Sequence, residues 1–227
     1  MLAIAVLLVG GWGGGRTPAA AVERTQSTLT PLPTGTPAPV VVAQVPAGTP
    51  LPLKLPIASG AITAIGYHAA RGLALRPYGH RVNEGALTRL WHRVFGGNTR
   101  GLRFFQLAGG AGSATAELDV GASPGTDVYA PLDGTIESIT PLIVNGKTFG
   151  VRLDIRSDVA HAVVVSISHL QIDPALSVGS TLTASVSRIG QVLALSPVEE
   201  QALSRYTPDA GDHVAITTRY DAASLAS

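Results

Sequence analysis

Thr115, Glu117 and Asp119 recur at every second position of the run 115–120, alternating with Ala116, Leu118 and Val120. On a strand, that period puts a hydroxyl and two carboxylates on one face and the apolar side chains on the other. Carboxylates of this kind, joined by imidazoles, are legitimate metal ligands and acid–base groups. The imidazoles that matter most are His169, in Ser168-His169-Leu170, and His213, in Asp212-His213-Val214-Ala215. On a strand His213 and Ala215 share a face. The bland alternative is a half-solvated strand whose polar face does nothing.

The order of motifs along the chain resembles lysostaphin-type (LytM) zinc endopeptidases, metallopeptidase family 23, built on a duplicated hybrid β motif. The resemblance rests on Asp119, Gly125-Thr126, Val128-Tyr129-Ala130-Pro131, Asp133-Gly134-Thr135, Ser168-His169-Leu170 and Asp212-His213. It spans residues 57–220 and implies a cell-wall peptidase scaffold of the bacterial envelope. The family's metal ligands would fall at 115, 119 and 215, where this chain has Thr115, Asp119 and Ala215. Only Asp119 is a metal ligand by type, and a catalytic zinc site takes three protein ligands with one position open. The family's two histidines off the metal correspond to His169 and His213, which makes them the catalytic candidates. Thr115, Glu117, Asp119 and Ala215 are the groove candidates.

The resemblance therefore implies a non-catalytic domain that needs no cofactor. It would bind cell-wall peptide or a wall-hydrolase partner through the former active-site groove. The alternative is an active zinc endopeptidase that cuts peptidoglycan cross-links with substituted ligands. In that version Glu117, at a position where the family usually has glycine, joins Asp119, His169 and His213 in a rebuilt metal or acid–base site. A biotinyl- or lipoyl-type carrier shares the Ala-Pro-x-x-Gly turn, but Lys147 in Asn145-Gly146-Lys147 lacks the flanking residues that such modification uses.

The elements that must position these groups read as mainly β, an antiparallel barrel or sandwich with two peripheral helices. Residues 1–22 are expected to be a truncated signal peptide or short membrane anchor, from the apolar run 2–9 and the small residues Ala19-Ala20-Ala21. Residues 23–56, rich in Pro and Thr, are expected to be an extended spacer, and 221–227 a tail. Strand signals cover 57–76, 102–107, the central stretch, a hairpin turning at Asn145-Gly146, 162–168, 190–192 and 212–218. His68 is expected in a solvent-facing loop, and His80, His92 and His161 at the surface. One helix is expected over 83–95, from the stripe Leu87, Leu90, Trp91, Val94 and Phe95. A second is expected from Ser196-Pro197 to about Tyr206, from its capping-box spacing.

Composition bounds the rest. The 227 residues are 45% hydrophobic with a formal net charge of +1, which suits a folded exported domain and gives nucleic acid no basic surface. With no cysteine, disulfides and thiol chemistry are excluded.

Overall fold

The computed structural model describes residues 37, 40–46, 50–82 and 101–221. The chain is mainly β. It opens with β1 (Val41–Val45) and β2 (Leu51–Lys54), then β3 (Ile62–Ala70), β4 (Arg76–Pro77), β5 (His80–Arg81) and β6 (Arg103–Gln106). The central part is β7 (Ser113–Ala122), β8 (Asp127–Tyr129), β9 (Gly134–Val144), β10 (Lys147–Ser157) and β11 (Val163–Ile172). The last strands are β12 (Thr181–Leu182), β13 (Arg188–Val192) and β14 (His213–Tyr220).

The strands form a small sheet, β2-β1-β4, and a large one ordered β12-β9-β10-β11-β14-β7-β3-β6-β5, with β13 and β8 paired alongside β11. The large sheet is antiparallel except at β6, which runs parallel to β3 and β5. Among the described residues the sheet order does not close on itself, so the architecture is a layered sandwich and not a barrel.

The hairpin β9–β10 turns at Asn145 and Gly146, with φ of 51° and 76°. Both central residues at positive φ make the turn twist with the strands, as expected for Asn-Gly. Inward residues such as Leu118, Val120, Ile155, Ile167 and Ile216 are fully buried in one continuous apolar core. That burial, non-directional and proportional to area, is what holds the layers together.

Three expectations are corrected. The spacer is not free chain from residue 41 on: β1 and β2 bury Val42, Val45, Leu51 and Leu53 in the main core. The alternation in Leu51-Pro52-Leu53-Lys54 is strand periodicity, and exposed Pro52 is tolerated because β2 is an edge strand. Tyr67 ties this sheet to the large one by donating its hydroxyl to the Val42 carbonyl at 2.9 Å.

The second peripheral helix is not formed; the segment holds turns and one short 3-10 helix, Ala202–Arg205. Its start is claimed from outside, since Asp212 accepts the Leu195 and Ser196 N–H groups and the Ser196 hydroxyl. His68 is not in a loop, because it lies within β3. The helix expected over 83–95, with His92, and the segment 1–22 lie outside the described residues. Among the described residues no helix is long and apolar enough to cross a membrane.

Candidate functional site

β7 is the centre of the site because it lies between β14 and β3. Register then decides the neighbours: Asp119 lies opposite Ala215 on one side and Gly66 on the other, and Glu117 lies opposite Thr217 and His68. The strand period puts these residues on one face. His213, opposite Gly121, and His68 are the diagonal neighbours of Asp119, within reach of a long or aromatic side chain.

The side chains converge accordingly. His68 Nε2 lies 3.3 Å from Asp119 Oδ2 and 3.5 Å from Glu117 Oε2. His213 Nε2 lies 3.7 Å from Asp119 Oδ1. The His213 ring is aimed by its Nδ1–H, which donates to the Gly211 carbonyl at 2.9 Å. Gly211 is required there: its φ is 81°, and a Cβ would fall 2.4 Å from the Ser204 nitrogen. His169 completes the floor, its ring edge to face with His213.

A cavity of about 180 Å³ opens above these five side chains, rimmed by residues 199–202. Leu203 anchors that rim, fully buried against Ala64 and Leu107. Glu117, Asp119, Glu199 and Glu200 bring four carboxylates to the cavity against three imidazoles, so it is suited to a cationic group.

Asp119 is fully buried, and among the described residues neither of its carboxylate oxygens has a hydrogen-bond partner. Buried carboxylates are ordinarily hydrogen-bonded or paired with a cation. The approach to Asp119 pulls the His68 imidazole above its ordinary value against the opposing effect of burial. It nevertheless falls short of a hydrogen bond that would satisfy the carboxylate. Burial, then the charge of Asp119, pushes the Glu117 carboxyl up. Burial, reinforced by His213, lowers His169 to about 4, so this ring is neutral near pH 7. His169 also holds a left-handed backbone, φ 59°, where β11 leaves β14 for β13. Such a conformation costs on the order of 1–3 kcal/mol and gathers at functional sites.

Of the residues singled out in the sequence, Glu117, Asp119, His169 and His213 meet in this cavity. Thr115 and Ala215 supply it with no ligand. The Thr115 hydroxyl donates to the Leu75 carbonyl at 2.7 Å, and the Ala215 methyl is buried between β7 and β11. The ligand set of the lysostaphin type therefore does not fit at 115, 119 and 215.

His68 is the residue the sequence reading left outside. A signal for it existed, because buried Ile65 and Tyr67 alternate with Gly66 and His68, which places His68 on the groove face. The rim at 199–202 falls within the segment expected to be the second helix, and nothing in its spacing marks it as a groove wall.

No family model matches the chain. No curated protein matches it. Among solved structures it is similar to lysostaphin in solution, at 16% identity and a TM-score of 0.34, over 47% of this chain and 37% of lysostaphin. It is also similar to pseudoalterin, an M23 metalloprotease from the deep sea, at 14% identity and a TM-score of 0.39. That second likeness covers 75% of this chain and 71% of pseudoalterin. The chain thus spans just over a third of the length of lysostaphin, and likeness of this degree fixes neither ligands nor reaction.

Proposed function

We propose that this chain is a bacterial cell-envelope domain of the lysostaphin (LytM) type that binds cell-wall peptide through the groove above Asp119. A protein of the envelope, such as a wall hydrolase, is the other partner of this reading. One observation carries it: the groove is intact and charged, while Thr115 and Ala215 stand where the family reaction needs metal ligands. An acidic cavity of this size suits the protonated amine of a stem peptide, held by the rim carboxylates Glu199 and Glu200. In this reading His169 and His213 shape the cavity wall. The domain is exported and acts outside the cytoplasmic membrane.

The test is co-sedimentation of the full chain with purified peptidoglycan, run beside an assay for release of soluble peptides. Binding without release is expected, weakened in Glu199→Gln. Release of peptides by the zinc-supplied protein would overturn the non-catalytic reading. It would favour the second one, an endopeptidase with substituted ligands, which the cluster of His68, Glu117 and Asp119 supports.

A further inference from the structure

We infer that His68, Glu117 and Asp119 form a zinc-class divalent cation site, with ligands from β3 and β7 where the lysostaphin-type set would draw on β7 and β14. The first observation is proximity. One ligand atom from each of the three residues lies within 4.8 Å of the others. A metal about 2.0–2.2 Å from each ligand of a tetrahedral set holds those atoms about 3.3–3.6 Å apart. His68 Nε2 lies 3.3 Å from Asp119 Oδ2 and 3.5 Å from Glu117 Oε2, which are edges of that size.

The second observation is independent of proximity: the fully buried Asp119 carboxylate faces the cavity with neither oxygen hydrogen-bonded among the described residues. A proton on His68 does not answer this. Charge-assisted N–H···O bonds run about 2.7–2.9 Å, shorter than either contact, and one Nε2–H cannot serve two carboxylates in line. A cation is shared by three lone pairs at once, which a proton is not.

One imidazole nitrogen with two carboxylate oxygens suits zinc and its first-row neighbours better than magnesium, which prefers oxygen and water. His213 lies outside the set, since its Nε2 approaches the other Asp119 oxygen, at 3.7 Å. The groove mouth gives the ion an entry path.

This inference stands whether or not the groove takes a peptide, and zinc alone is the probe. The full chain is stripped with a chelator and titrated with zinc by calorimetry, with magnesium as the control. One equivalent of zinc is expected, with magnesium at least about a hundredfold weaker. Glu117→Gln and His68→Gln should each weaken zinc at least about a hundredfold, beyond the ten- to hundredfold typical of removing an outer partner. Thr115→Ala should leave binding within about threefold. Thermal melts of the metal-free variants separate loss of a ligand from loss of the fold, and the near-isosteric Asp119→Asn gives a second variant with the same expected loss.

Absence of stoichiometric zinc would overturn the site. So would zinc that survives both Glu117→Gln and His68→Gln, which would be adventitious, or zinc lost only in His213→Gln. Failure here leaves the co-sedimentation result with peptidoglycan untouched, so the two readings fail separately.

Discussion

His169 meets His213 edge to face, ring centroids 4.7 Å apart, at the point where β11 exchanges β14 for β13 as its partner. The His169 backbone is already in the left-handed region there. Burial first, and His213 second, hold this imidazole at about 4 against an ordinary 6.5. Between those values the unfolded chain takes up a proton that the folded chain refuses, so stability rises with pH across that window. The contribution is fully present above pH 6.5 and is lost as pH falls toward 4, amounting to about 3 kcal/mol at most. In metal-stripped protein, urea melts at pH 7.5 and at pH about 4.5 should differ more for the wild type than for His169→Asn. Asparagine accepts the left-handed backbone and does not titrate. Equal pH slopes in the two proteins would remove His169 from the account.

Leu203 holds the rim of the groove down. It is fully buried with Ala64 and Leu107, in a cluster separate from the main core. Leu203→Ala should cost about 2–4 kcal/mol by the ordinary arithmetic of a buried leucine. Because the cluster is local, the loss should fall mainly on residues 196–206. Hydrogen exchange would then rise in that segment while β7 and β14 stay protected. Uniform loss of protection across the sheet would show that the rim is part of the global folding unit.

Asp212 stands in for the helix cap that the sequence promised at Ser196. It is buried and accepts from Leu195 N at 2.8 Å, Ser196 N at 2.8 Å and Ser196 Oγ at 2.7 Å. Asp212→Ala strands these donors and should cost about 2–4 kcal/mol in chemical denaturation. Asp212→Asn keeps an oxygen for both N–H groups, and the Ser196 hydroxyl can turn to accept, so less than half of that loss is expected. An asparagine variant as unstable as the alanine one would mean that charge, not acceptor count, matters at this position.

Periodicity of two made the central strands legible, because β7 and β14 each turn alternate apolar residues to one core. The Asn145-Gly146 turn was legible because positive φ at both residues restricts the choice of side chain. Glu117 and Asp119 could be placed on one face from their spacing alone. The partner at Glu117 could not, since His68 arrives through pairing of β3 with β7, separated by nearly fifty residues of chain. Capping-box spacing at Ser196 misled for a related reason: Asp212, sixteen residues away, takes the donors that a helix start would have used. Proline and threonine content likewise concealed β1 and β2, which among the described residues pair with each other and with β4.

Asp154 gives the last expectation, on β10, with β11 and β14 between it and the site strand β7. Its side chain is 3% exposed and accepts Ser166 Oγ at 2.7 Å and Ser138 Oγ at 3.0 Å, with Arg152 and Arg219 at 3.2 Å. Burial alone would raise this carboxyl, but the Ser166 hydrogen bond, the Arg152 charge and the bonds from Ser138 and Arg219 outweigh it and hold it below the ordinary 3.8. A depressed carboxyl contributes stability that is present above pH 3.8 and is lost as pH falls through its lower folded value. Asp154→Asn should therefore cost about 2 kcal/mol at pH 7, where both arginines lose their anion and one hydroxyl must reorient. That deficit should shrink as pH falls below 3.8 and the wild-type group itself takes up a proton. Paired guanidinium melts of wild type and variant across that range measure it. A deficit that stays constant with pH would show that packing and hydrogen bonding at Asp154, rather than its charge, hold β10 between β9 and β11.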